Sequence, residues 1–189
     1  PRAPVVVLAA GAVHTPRLLL NSGGRHATDG LCNESGQVGR NFMETLLNTS
    51  TAMHPDMLGS HRGLPVDWVM WDFNAPDAIP DVIGGCRFGP AMAESDLVGP
   101  VGYATRLIDG WGRSHKQKMR DGFGRVLSIA GIGESLPNDQ TYVGLGAQTD
   151  RHGMPAAEIH SALDDMAFAR LRFMRQTCRA VLDAAGCGA

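Results

Sequence analysis

The chain has 189 residues, a hydrophobic fraction of 43% and a formal net charge of -2. This length and composition suit one sizeable globular core, or one domain with an appendage. No apolar run approaches the roughly 18 residues of a membrane-spanning helix. No signal peptide marks a compartment, so cytoplasmic and periplasmic locations stay open.

The first element expected is a buried strand over residues 5–9 (Val-Val-Val-Leu-Ala), an apolar run rich in β-branched side chains. A small-residue turn, Ala10-Gly11-Ala12, leads from it into a helix. Thr15 is expected to cap that helix, Pro16 to be its first residue and Gly23 its stop. A fully buried strand needs neighbours on both sides, and only four residues precede this one. With no initiator Met, the chain reads as a fragment of a longer protein.

Residues 30–40 lack periodicity and read as a loop leading into a short helix over 38–45. Residues 46–53 alternate like a strand, with Thr49 and Thr51 on one face and Ser50 and Ala52 on the other. A long loop over 55–65 follows, then a second strand over 66–73. Residues 76–100, rich in Pro and Gly, favour short strands and turns. A helix over 103–120 is interrupted by Gly110 and Gly112. Its basic cluster, residues 113–120, carries no interleaved aromatics and reads as a solvated helical face, not a nucleic-acid site. Strands over 123–134 and 141–145, joined at Leu136-Pro137-Asn138-Asp139, predict a hairpin.

The clearest helix lies over 162–185. Leu163, Ala167, Leu171, Met174, Cys178, Val181 and Ala185 recur at three to four residues, Ser161 with Asp164 suits its start, and Gly186 suits its end. Arg170, Arg172, Arg175 and Arg179 are placed mainly off that stripe. Extended segments backed by helices predict an α+β fold with an antiparallel sheet.

Cys32, Cys86, Cys178 and Cys187 form no C-x-x-C pair and read as reduced structural thiols. Asp150, His152 and His160 match no metal-ligand spacing, and a turn through Gly153 and Pro155 accounts for their segment, so no metal site is expected. His14 has no acid, base or nucleophile partner in sequence, and no catalytic residue is assigned. Trp68, Trp71, Phe73 and Trp111 are candidates to line a substrate pocket, with core packing as the competing reading. No G-x-S-x-G is present, which argues against a hydrolase of the nucleophile-elbow type.

Gly11, Ala12, Thr15, Pro16, Leu18, Leu19, Ser22 and Gly23 match the second signature of the glucose–methanol–choline family of flavin-dependent oxidoreductases. The next residues, Gly24-Arg25, depart from the aliphatic residue and Gly usual there. Residues 35–43 (Ser-Gly-Gln-Val-Gly-Arg-Asn-Phe-Met) resemble the sugar-alcohol and gluconate dehydrogenase branch. Glu44 and Thr45 stand where an acidic residue and His often follow, so the role of that His is lost. Asp150-Arg151-His152-Gly153-Met154-Pro155 is similar to the Asp-x-x-Gly-x-Pro stretch of the family's substrate domain.

The resemblance implies a remnant of an FAD-binding domain over residues 1–45 and a substrate-binding domain over 46–189. It implies FAD as cofactor of the whole protein, approached at Ala10, Gly11, Ala12, Thr15 and Pro16. The reaction implied is oxidation of a CH–OH group in an alcohol, sugar alcohol or sugar acid, with a downstream His taking the hydroxyl proton. The chain has neither the G-x-G-x-x-G phosphate cradle nor that His segment, so the isolated chain is expected to be inactive and not to hold FAD. A non-catalytic binding or interaction module with the substrate-domain fold is the alternative. Apolar surface left uncovered is expected to favour self-association.

Overall fold

The computed structural model of the protein describes residues 3–64 and 66–187. Pro65, at the end of the expected 55–65 loop, lies outside them. The described residues form α1 (Gly11–Asn21), β1 (Leu46–Met53), β2 (Cys86–Pro90), α2 (Pro100–Arg106), α3 (Gly112–Gly122), β3 (Val126–Gly133), β4 (Tyr142–Thr149), β5 (Pro155–His160) and α4 (Asp165–Ala184). The fold is α+β, with antiparallel sheets throughout.

Two compact units share the chain. One joins the segment ending at Glu44 with Leu136–Leu163, and the other joins Thr45–Ser135 with the segment from Asp164 onward. In the first unit, α1 packs on the β4–β5 hairpin. The second is a three-stranded sheet in the order β1-β3-β2, with α4 across one face.

The second unit's core follows from alternation. Leu46, Asn48, Ser50 and Ala52 of β1 are more buried than Leu47, Thr49, Thr51 and Met53. On β3, Gly131 and Gly133 lie under α4, where an added Cβ at Gly131 would come within 2.8 Å of the Met174 Cβ. Small residues here let helix and sheet approach closely. Phe88, Met174 and Cys178 are fully buried in the resulting cluster. Each large apolar side chain so covered stabilises the fold by about 1.5–3 kcal/mol.

Helix α4 is capped by Asp164, not Ser161. The Asp164 Oδ1 accepts a hydrogen bond from the Ala167 N–H at 2.7 Å, while the Ser161 hydroxyl donates to Glu44 Oε2 at 3.0 Å. Ala167, Met174 and Cys178 are buried as their spacing predicts, and Gly186, at φ +86°, follows the helix end. Arg170 departs from expectation. It is fully buried on the same face, with Nε donating to the Gly84 carbonyl at 3.2 Å and its two Nη atoms to the carbonyls of Glu134 and Ile83. Each guanidinium nitrogen donates to one carbonyl, so the cation sits in the core as a brace between α4 and the loops around the sheet.

Other expectations fail for identifiable reasons. Residues 5–9 form no strand, because no described strand lies beside them to take their hydrogen bonds; Val5, Val6 and Val7 are 76%, 74% and 79% exposed. Residues 38–45 are not helical, since Gly39 and Asn41 take positive φ. Residues 66–73 supply a single bridge, Met70 to Phe88. The 123–134 and 141–145 segments become β3 and β4 but do not pair. Both edges of β3 are filled by β1 and β2, and β4 pairs with β5, a strand the sequence reading leaves out. The interrupted helix is two helices, α2 and α3, and Arg113, Lys116, Lys118 and Arg120 are exposed on α3.

Candidate functional site

Helix α1 begins at Gly11, four residues earlier than Thr15. Thr15 therefore caps nothing ahead of it; its Oγ1 accepts a hydrogen bond from the Ala10 N–H at 3.0 Å and ties down the residue that enters the helix. Pro16 lies inside the helix, where it has no N–H to donate to the Ala12 carbonyl one turn back. Gly11 takes φ +80°, and a Cβ placed there would meet nothing within 4 Å. Ala10, Gly11 and Ala12 are all exposed, so backbone is open to close approach at this turn.

The five candidate residues do not share one surface. Ala12, Thr15 and Pro16 line a cavity of about 390 Å³ with Gly39, Arg40 and Phe42. Ala10 lines a second cavity of about 410 Å³ with His14, Arg17, Asp150 and His152. Helical periodicity sorts them, since residues 12, 15, 16 and 19 lie on one face and 10, 14, 17 and 21 on another. Gly11 lies between the two groups in sequence and lines neither cavity.

Arg17, which the sequence does not single out, and Asp150, which opens the Asp-x-x-Gly-x-Pro stretch, build this unit. Arg17 Nη2 meets Asp150 Oδ2 at 2.7 Å, and Arg17 Nε donates to the Pro155 carbonyl at 2.8 Å. Asp150 Oδ1 accepts from the N–H groups of His152 at 2.8 Å and Met154 at 3.1 Å, closing the turn that leads into β5. The Arg17 side chain and the two turn N–H groups hold the Asp150 carboxyl down at about 2. A lone cation beside Leu18-Leu19-Leu20 and an Asp opening a Gly-x-Pro turn were the available signals.

Gly39 fixes the first cavity's wall. Its carbonyl accepts from the Val143 N–H at 2.8 Å, and at φ +83° an added Cβ would lie 2.1 Å from the Val143 carbonyl oxygen. Next to it the Arg40 guanidinium sits 4.7 Å from the Tyr142 ring centroid, and that ring stacks on His160 at 4.2 Å.

The second unit holds its own cavity of about 500 Å³, walled by Trp68, Pro90, Met92, Leu127, Ile129 and Val181. Of the four aromatic candidates only Trp68 lines it. Phe73 packs edge-on against Phe88 and Phe173, Trp71 sits under Arg87, and Trp111 is 87% exposed. Among the described residues, no three His, Cys, Asp or Glu side chains gather as metal ligands, and no helix is long and apolar enough to cross a membrane. Cys86, Cys178 and Cys187 are buried and Cys32 is exposed. Burial pushes the Cys86 thiol up to about 11, against the opposing pull of Arg170.

No protein-family model matches the chain. Two curated proteins are similar to it, and both bear the names of oxidoreductases. A 2-methyl-1,2-propanediol dehydrogenase of Mycolicibacterium austroafricanum is 29% identical over 84% of the chain and 29% of its own length. A 6'''-hydroxyparomomycin C oxidase of Streptomyces lividus is 31% identical over 98% of the chain and 31% of its own length. The chain thus spans about three tenths of the curated relatives it matches.

Proposed function

We propose that this chain is the middle part of an FAD-dependent oxidoreductase of the glucose–methanol–choline family, acting on a CH–OH group. The observation that carries the reading is similarity along 84% and 98% of the chain to two proteins named as a 2-methyl-1,2-propanediol dehydrogenase and a 6'''-hydroxyparomomycin C oxidase. Both names carry a hydroxyl compound, 2-methyl-1,2-propanediol and 6'''-hydroxyparomomycin C, in keeping with the CH–OH chemistry that the motifs imply.

The start of α1 suits a flavin's edge: its cap Ala10 and first residues Gly11 and Ala12 are small and exposed, with Gly11 at positive φ and open space above it. Ala10, Gly11 and Ala12 would lie against the cofactor, while Thr15 fixes the turn through Ala10 and Pro16 leaves the Ala12 carbonyl without its helical donor. When bound, the flavin supplies the redox chemistry. This chain's own residues shape that edge and, in the second unit, a cavity for the substrate; none is assigned to proton transfer.

The test is the surrounding reading frame and its purified product. A G-x-G-x-x-G segment upstream, a His-bearing segment downstream, and flavin absorbance that bleaches on adding an alcohol are the expected results. A frame lacking both segments, with a colourless product, would overturn the reading in favour of a non-catalytic binding module.

A further inference from the structure

We infer that the 500 Å³ cavity of the second unit takes a small alcohol with a branched-aliphatic or aromatic body, in preference to a polyhydroxylated chain. Calling that occupant a substrate rests on the proposed function; its chemical class rests on the cavity alone.

The walls decide the class. Pro90 comes from β2, Leu127 and Ile129 from β3, Val181 from α4, and Met92 and Trp68 from loops, so side chains from every direction in the sheet–helix sandwich present carbon. A cavity of this volume suits an organic molecule of modest size. Trp68, 40% exposed, has ring surface free to stack on an occupant. A sugar ring stacks on indole as well, so the discrimination comes from the rest of the lining.

Polar groups enter almost entirely from one segment, which supplies Ser60, His61, Arg62 and Asp67. The exception is Ser128, whose hydroxyl is already shared with Ser95 at 2.6 Å and Thr51 at 3.0 Å. His61 lies against Phe123, with ring centroids 4.5 Å apart, and its Nε2 faces Arg62 Nε at 3.4 Å. Hydroxyls can thus be anchored from one rim, not from the opposite walls. A hexitol would set its remaining hydroxyls against Leu127, Ile129 and Val181, which offer them no hydrogen-bond partner.

The test is equilibrium binding to the 189-residue chain, followed by tryptophan fluorescence and ligand-observed NMR, with benzyl alcohol and sorbitol as probes. Ala185→Phe fills the cavity from the end of α4, where the αR backbone accepts a larger side chain. Val181→Phe is the second filling variant, and circular dichroism confirms that each is folded. Benzyl alcohol is expected to bind at least about tenfold more tightly than sorbitol, and to lose about tenfold or more in a folded filling variant. Three results would each overturn the inference: sorbitol binding as tightly, no benzyl alcohol binding, or binding unchanged in a folded filling variant. Neither flavin nor turnover enters this measurement, so its failure leaves the redox reading standing, and a colourless parent protein leaves the cavity assignment standing.

Discussion

Arg17 and Asp150, 133 positions apart, meet at 2.7 Å and join the signature-bearing helix to the turn of the β4–β5 hairpin. Residues 11–23 and 150–155, which carry the motifs compared in the sequence, are thereby joined. Asp150→Asn keeps an acceptor for the His152 and Met154 N–H groups but removes the charge facing Arg17. It is expected to raise amide hydrogen exchange in β5 and α1 while leaving exchange in β1 and β3 unchanged, which NMR resolves residue by residue.

The same carboxylate sets an acid response. Its value is about 2 in the folded chain against an ordinary 3.8, so its stabilisation is complete above pH 4 and fades as pH falls through about 2. Loss of the hairpin's signals between pH 4 and 2 is the expected result. In Asp150→Asn that part of the acid transition disappears.

Gly39→Ala puts a methyl group 2.1 Å from the Val143 carbonyl oxygen at a φ of +83°. The hydrogen bond between Val143 and Gly39 has to break or the turn has to move. A loss of more than about 1 kcal/mol in urea unfolding is expected. Gly36→Ala is the control, since its φ is also positive but its Cβ would meet nothing within 4 Å.

Arg170→Met removes a buried cation and leaves the carbonyls of Ile83, Gly84 and Glu134 without their donor. Denaturant midpoints are expected to show a loss of about 3 kcal/mol. Arg170→Lys should recover only part of it, because an ammonium cannot reproduce the planar fork.

Thiol labelling separates the cysteines. Cys32 is exposed and should react at once, whereas Cys86, Cys178 and Cys187 are buried and should react only on unfolding. One fast equivalent per chain in the native state, and four in denaturant, is the expected count.

Residues 5–7 present three valines to solvent, an apolar strip of high strand propensity. Sedimentation of the isolated chain should show association that rises with concentration. Val6→Lys should weaken it without changing the fold.

Elements whose pattern comes from a single half-buried face were legible in the sequence. β1 shows the expected alternation over residues 46–53, and α4 buries Ala167, Met174 and Cys178 as their spacing requires. Partner choice was not legible. Leu136-Pro137-Asn138-Asp139 carries turn chemistry, but nothing in it says that β3 is already flanked by β1 and β2. Arg170 was misplaced because arginine ordinarily marks solvent; its position three after Ala167 and four before Met174 was the only sign of burial. At the candidate site, the small exposed turn at residues 10–12 was readable from residue size. The roles of Thr15 and Arg17 depended on where the helix began and on a contact across 133 positions.

Because Leu136–Leu163 completes the unit that the first 44 residues begin, the intervening 91 residues emerge from the ribosome before that unit has its hairpin. The sheet of the other unit likewise waits for α4, which follows β3 only after the whole β4–β5 hairpin. Neither core closes early, and closure across such long separations is slow. During translation the valine strip and the uncovered sheet are therefore the surfaces most in need of a chaperone.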